Sequence, residues 1–427
     1  MFQSKTYEIS STDDIELGIR RYSKLEFKVS FDDTKPMKAL FVFINGIRDE
    51  DYAGYEEHLA EFVVQTYGVA VLRVDYHCIG FRPQTGATFY MDKRDKEIFK
   101  AQCSEIAQHC DIELNLPDDL SNDENLGQNE SYALLTSLND IILELKNAHK
   151  IPQDYRSPLS ISLQPTKNEY QNFGLMQALD IINAIYFVRK HHAKFKLAKT
   201  PKTLLFGTSH GGYLALLCAK FAPWLIDAVV ENSGYANAPL RFLGFGKEFD
   251  YKACFESNTA SMFDHLAIFV FTKTFFTSVQ SSPKCYTEAH DKIRSLPELD
   301  HLQTQATCYK AVFVSYHSAR DFDIARPEPK QRLYQMLAEL GYDATLHLIK
   351  DESEVDGKFI KNLKHGMDMS LKTLIKKELP PLLARKFTHK KNQKHEITYK
   401  SENLEYKFKE KARGGGIELF VKKIKLL

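Results

Sequence analysis

No charge of one sign dominates this chain: 57 lysines and arginines against 56 aspartates and glutamates leave a formal charge of +1 over 427 residues. Such a balance offers no global attraction to nucleic acid or to an anionic membrane, and neither is expected as a partner. Cysteine is sparse and unpatterned. The seven, at positions 78, 103, 110, 218, 254, 285 and 308, are odd in number and form no C-x-x-C. That argues against a disulfide framework or a zinc ribbon and for a reducing compartment. No apolar run reaches the ~18 residues of a membrane span, and the first ten residues lack the basic flank and apolar core of a leader. The expectation is a soluble, cytoplasmic protein. Phosphate loops of the type G-x-x-x-x-G-K-[ST] are missing, as are repeats of solenoid period. The neighbouring carboxylates Asp118 and Asp119 do not stand in the order of a calcium loop.

What the chain does have is one informative stretch, Lys202 to Phe221. Thr203 to Phe206 is a short apolar run that reads as a buried strand after Pro201. Beyond Gly211 the apolar positions Leu214, Leu217, Cys218 and Phe221 recur at helical spacing, and Pro223 stops the pattern. Between strand and helix lies Gly207-Thr208-Ser209-His210-Gly211, a G-x-S-x-G whose turn is too sharp for side chains two residues either side of the serine. The serine is thereby thrust out with its hydroxyl free, and the His210 amide points at the same space. A serine that merely fills such a turn, holding a phosphate on the helix N-terminus, is the plainer reading, and no lysine follows to support it.

In this setting Gly207 to Gly212 resembles the nucleophile elbow of the alpha/beta-hydrolase superfamily. The resemblance covers roughly residues 39 to 370 and implies an α/β fold with a mostly parallel, doubly wound sheet. Its other segments follow in order. Ala39 to Ile44 is a continuous apolar strand ending in Asn45-Gly46-Ile47, where the superfamily commonly has His-Gly-x. Amides at Gly46 and Ile47 would there complete an oxyanion hole with His210, although an Asn-Gly turn is the simpler alternative. Asp75 to Gly80 resembles the segment Asp-Tyr-Arg-Gly-x-Gly with His77 and Cys78 as departures, read as structural or pocket-lining. His317-Ser318-Ala319-Arg320-Asp321 resembles His-Gly-x-x-Asp, with Ser318 in place of glycine and Asp321, rather than Asp323, as the triad acid. His365, in a loop after the strand Ala344 to Ile349, stands where the base is expected.

The remaining segments fit around this frame. Residues 2 to 31 alternate like antiparallel edge strands, and 174 to 189 read as an amphipathic helix whose basic end carries His191 and His192. Residues 81 to 165 look like an acidic insertion, with a solvated loop over 111–130 and a helix carrying Leu134, Leu138, Ile141 and Leu145. Residues 236 to 301 hold many aromatics, among them Phe242, Phe245, Phe249, Tyr251, Phe255, Phe263, Phe269, Phe271, Phe275 and Phe276. They read as a cap over an acyl pocket, or equally as that segment's own core. The core resumes over 302–380, and 381–427 reads as a basic extension with a β-hairpin whose lysines protect a strand edge.

The resemblance implies a serine hydrolase that cleaves an ester, thioester or amide through Ser209, with His365 as base and Asp321 orienting it. Its partner would be a small-molecule acyl substrate such as an acylated sugar, with no cofactor and no metal. Two other readings remain open: an acyltransferase using the same acyl-serine, and a non-catalytic binding or scaffold protein, for which Asn45 and Ser318 speak. Oligomeric state is not legible.

Overall fold

Apolar runs without polar alternation form strands covered on both faces, whereas alternating runs form strands with one wet face. The computed structural model describes residues 1–46, 53–79, 86–238, 240, 247, 263–322, 324–388 and 394–425. Its strands, in chain order, are β1 Phe2–Ser10, β2 Lys24–Asp32, β3 Met37–Ile44, β4 Ala70–Asp75, β5 Thr88–Tyr90, β6 Ser157–Gln164 and β7 Leu197–Thr208. They continue with β8 Ala228–Asn232, β9 Leu266–Thr272, β10 Val312–Ser318, β11 Ala344–Ile349, β12 Glu396–Ser401, β13 Leu404–Glu410 and β14 Ile417–Lys423. The described helices are α1 Ala53–Tyr67, α2 Lys93–Cys110, α3 Gln128–Asn147, α4 Leu175–Lys190, α5 His210–Phe221, α6 Glu288–Arg294, α7 Leu299–Ala306, α8 Pro327–Glu339 and α9 Leu371–Ala384. The chain divides into two compact units, one of Met1–Gly80, Asn172–Ala238 and Tyr286–Leu427, the other of Phe81–Gln171 and Pro239–Cys285.

The first unit is built on an eight-stranded sheet in the order β1-β2-β4-β3-β7-β8-β10-β11. β1 and β2 pair antiparallel, β2 meets β4 antiparallel, and every pairing from β4 to β11 is parallel. In β3, Ala39 to Ile44 are all buried, as are Leu204 to Phe206 in β7 and Val229 and Val230 in β8. The amphipathic reading of α4 needs correction. Only Phe187, Arg189 and Lys190 of its sixteen residues escape burial, so its polar residues face protein and must find partners there. Asp180 takes both guanidinium nitrogens of Arg21, at 2.8 and 3.0 Å, and Asn183 accepts the N–H of Ile417 at 3.0 Å.

That last bond belongs to the C-terminal extension, where the expected hairpin, β13–β14, is joined by β12 in a three-stranded antiparallel sheet. Its buried face presents Ile397, Tyr399, Tyr406, Phe408, Ile417 and Leu419. Phe408 stacks on Phe221 at 4.3 Å between ring centroids, and Tyr399 donates to the carbonyl of Lys220 at 2.6 Å. Period-two alternation then leaves Lys400 and Lys409 outside.

The second unit brings together two pieces that are far apart in sequence. β6 pairs antiparallel with β5 and parallel with β9, so the stretch 266–272, expected within a cap, is a strand in the sheet of the insertion. Phe269 and Phe271 are buried there. Helices α2 and α3 pack on this sheet through Phe99, Cys103, Ile106, Leu135, Leu138, Ile142 and Leu145, together with Phe263 and Ile268. The loop expected to be solvated has an anchor. The ammonium of Lys96 is buried and donates to the carbonyls of Asn122 and Glu124 at 2.7 Å each and to Asn122 Oδ1 at 2.9 Å. Residues 286–301, also read as cap, instead form α6 and α7 of the first unit. Phe242, Phe245, Phe249, Tyr251 and Phe255 lie outside the described residues. No helix among the described residues is long and apolar enough to cross a membrane.

Candidate active site

β7 runs out at Thr208 and α5 begins at His210, leaving Ser209 alone between strand and helix. Its backbone, at φ 52° and ψ −121°, is one that residues with a side chain rarely adopt, and such strain costs on the order of 1–3 kcal/mol. The surroundings hold it. The Ser209 N–H donates to the carbonyl of Asn232 at 2.8 Å, continuing the β7–β8 ladder by one bond. A Cβ on Gly207 would come within 2.3 Å of the Gly211 carbonyl oxygen, and one on Gly211 within 2.1 Å of the Ile44 carbonyl oxygen. Both contacts are with backbone, which cannot swing aside. Gly211→Ala is therefore expected to destabilise the protein by about 3 kcal/mol or more, at the upper end of overpacking costs. An unchanged urea midpoint would contradict the close approach of α5 to the end of β3.

Three side chains meet at the end of the sheet. His365 Nε2 lies 2.7 Å from Ser209 Oγ, and His365 Nδ1 lies 2.6 Å from Asp321 Oδ2. A carboxylate can only accept, so Nδ1 carries the proton and Nε2 is left to accept from the serine hydroxyl. The acid is 3% exposed, and its second oxygen accepts the backbone N–H of Ala325 at 3.2 Å. His317, at the head of the same motif, is buried and donates from Nε2 to the carbonyl of Ala325 at 2.7 Å. Burial lowers its pKa. One residue, Ala325, thus ties together the motif's histidine and aspartate, through its N–H and its carbonyl. Asp323 lies outside the described residues.

His210 divides into two parts with different surroundings. Its N–H belongs to the first turn of α5, where amides have no acceptor within the helix. Its ring is fully buried, and desolvation lowers its pKa to about 3, so it is neutral at any ordinary pH. Nε2 faces Gln177 Oε1 at 2.8 Å, while Nδ1 meets the hydroxyl of Tyr235. Because Gln177 donates its Nε2 to the carbonyl of His77 at 2.9 Å, its oxygen must face His210. That assigns the ring proton to Nε2 and makes Nδ1 the acceptor from Tyr235. His77 itself is buried, its N–H on Asp180 Oδ2 at 3.0 Å.

At the end of β3, the side chain of Asn45 donates to Glu56 of α1. Tyr76 donates to the carbonyls of Asn45 at 2.9 Å and Gly46 at 3.2 Å, fixing how those peptides face. Ile47 lies outside the described residues. Gln177, Tyr235 and Tyr76 were not singled out as site residues by sequence reasoning. Only Gln177 carried a signal, as an uncharged polar residue within an otherwise apolar helical turn.

A mostly parallel sheet with its first two strands antiparallel, carrying a serine on a strained turn between a central strand and the helix that follows, is the alpha/beta-hydrolase fold. Within that class, the chain belongs to the family described as "Protein of unknown function (DUF2920)", whose model matches residues 5–417. A search of curated proteins returns no match. Among solved structures, the chain is similar to the esterase Est22, at 11% identity and a TM-score of 0.40 over 82% of this chain and 71% of that one. It is also similar to an acylaminoacyl peptidase of Pyrococcus horikoshii, at 13% identity and a TM-score of 0.43 over 92% of this chain and 43% of that one. Carboxyl esterase 2 of the mycorrhizal fungus Tuber melanosporum shows 10% identity and a TM-score of 0.41 over 90% of this chain and 85% of that one.

Proposed function

We propose that this protein is a serine hydrolase of the carboxylic ester type, acting on a small-molecule ester, thioester or amide. The observation that carries the reading is the unbroken line of hydrogen bonds from Ser209 Oγ through His365 to Asp321. A serine hydroxyl is a weak nucleophile at neutral pH and needs a base in contact with it. In the proposed reaction, Ser209 Oγ attacks the acyl carbon while its proton passes to His365 Nε2. The tetrahedral intermediate then expels the alcohol, thiol or amine, which takes that proton. Water, deprotonated by the same nitrogen, cleaves the acyl-serine and regenerates the hydroxyl.

Asp321 keeps the imidazole in the required tautomer and stabilises its positive charge. The amide of His210 is assigned as one oxyanion donor, with Gly46 and Ile47 supplying the other, and one such donor is worth about 3 kcal/mol. The neutral, doubly held ring of His210 supports this role, because an amide aimed at a developing charge is most effective when it does not have to reorient.

A fluorophosphonate probe on the purified chain, followed by p-nitrophenyl esters from acetate upward and acetylated sugars, tests the reading. Covalent labelling and ester turnover, both lost in Ser209→Ala, are the expected results. A folded wild-type protein that neither labels nor turns over any ester would instead assign the fold a non-catalytic role.

A further inference from the structure

The loop that carries His365 is not a conformation the chain would hold by itself. Gly366, Met367 and Asp368 follow one another at φ 76°, 55° and 41°, and only the first is a glycine. Successive left-handed residues with side chains are strained, so the surroundings must impose the shape. Three bonds from the ends of β8 and β10 do so at residues on either side of the histidine. The N–H of Gly366 donates to Ser233 Oγ at 3.1 Å, and its carbonyl accepts from Asn232 Nδ2 at 3.0 Å. Ser233 Oγ donates in turn to Asn232 Oδ1 at 2.9 Å, closing a ring that fixes which end of the Asn232 amide is which. On the other side, Ser318 Oγ donates to the carbonyl of Leu363 at 2.6 Å and accepts the N–H of Arg320 at 3.1 Å.

These contacts reach all three members of the site. The carbonyl of Asn232 is the acceptor for the Ser209 N–H, so one residue touches the serine with its backbone and the histidine loop with its side chain. Ser318 joins the carbonyl of Leu363, two residues before His365, to the N–H of Arg320, the residue before Asp321. Asn232, Ser233 and Ser318 are 3%, 0% and 0% exposed, so each unmade bond would leave a polar group dry. Glycine, the residue that the His-Gly-x-x-Asp resemblance would put at the position of Ser318, has no hydroxyl with which to make either bond.

We propose that Asn232, Ser233 and Ser318 are positioning residues that clamp the His365 loop in register with Ser209 and Asp321. The proposal rests on the serine-hydrolase reading. Misplacing a reacting group by about 1 Å costs on the order of 10²-fold in rate, and this clamp is what holds His365 against such a shift.

The test is the second-order rate of fluorophosphonate labelling, followed by intact mass, for Asn232→Ala and Ser318→Ala in the wild-type and in the His365→Ala backgrounds. With His365 present, each variant is expected to slow labelling by about 10- to 100-fold. In the His365→Ala background, residual labelling over hours should change less than about twofold, because the clamp acts only through the histidine. Ser318→Thr, which keeps the hydroxyl, should stay within about threefold of wild type. A variant that merely loosened the fold would slow labelling equally in both backgrounds, and that result overturns the proposal, as does wild-type speed in both alanine variants. If Asn232→Ala loses its thermal transition, Asn232→Asp, which keeps the size and places an acceptor opposite the Gly366 carbonyl, replaces it. Wild-type protein that does not label at all overturns the serine-hydrolase reading and the clamp with it. Labelled wild type with indifferent variants overturns the clamp alone.

Discussion

Ser209→Ala is expected to fold with a thermal midpoint close to that of the wild type and to lose ester turnover by about 10⁴- to 10⁶-fold. The fold is preserved because nothing in the turn depends on the hydroxyl: the strained backbone is held by the Asn232 carbonyl and by the packing of Gly207 and Gly211. Alanine accepts the same left-handed φ at a cost like that of serine. The group lost is a donor to His365 Nε2, on a side chain that is 18% exposed and so within reach of water. Under the proposed mechanism the rate falls steeply because the removed atom is the one that would bond to the acyl carbon, and members of such a constellation act as a unit. Stopped-flow or plate measurements of p-nitrophenyl ester hydrolysis decide the matter. A variant that keeps half of wild-type turnover would exclude Ser209 as the nucleophile.

The second large effect is expected of Asp321→Asn: a fall in kcat of about 10³- to 10⁴-fold with substrate affinity little changed. Here the geometry dictates the direction. Asp321 Oδ1 is held by the backbone N–H of Ala325 at 3.2 Å, and a donor there requires that the side-chain atom facing it remain an oxygen. The new NH₂ of asparagine must therefore take the place of Oδ2, 2.6 Å from His365 Nδ1. A donor at that point makes Nδ1 the acceptor and moves the ring proton to Nε2, where it faces Ser209 and cannot receive the serine's proton. Asp323→Asn, two residues further along the chain, is expected to cost less than about tenfold. The reverse ranking of the two variants would transfer the role to Asp323, and near-normal activity in both would mean that another carboxylate orients His365.

Much of this molecule is written locally. Apolar runs such as Ala39 to Ile44 and Leu204 to Phe206 announce strands covered on both faces, and those strands do form the middle of the sheet. The elbow is equally local, because a turn that sharp demands glycine at 207 and 211 whatever surrounds it. Asp321 and His365 could be named only through the resemblance, which places the acid shortly after His317 at the end of β10 and the base in the loop beyond β11, in the order Ser209, Asp321, His365. Other features had no local signature. The aromatics of 263–276 give no sign that their strand will pair with β6, more than a hundred residues earlier. The sequence of α4 suggests one apolar face, since nothing nearby says that β14, over 200 residues later, will lie against it and use Asn183.

The kind of sheet and the glycine-flanked serine turn follow from the amino-acid sequence, because they depend on residue type and on spacing within a few positions, whereas Asp321 and His365 were marked by the resemblance. Tertiary structure alone decided that the three side chains meet at 2.6 to 2.7 Å, that His210 is a buried neutral ring, and that Ser318, a departure from the resemblance, holds the histidine loop. The physical reason is the range of the interactions. Periodicity records that a face will be covered, whereas hydrogen bonds between residues 44 to 156 positions apart depend on how whole strands and loops are placed, and no short stretch of chain contains that information.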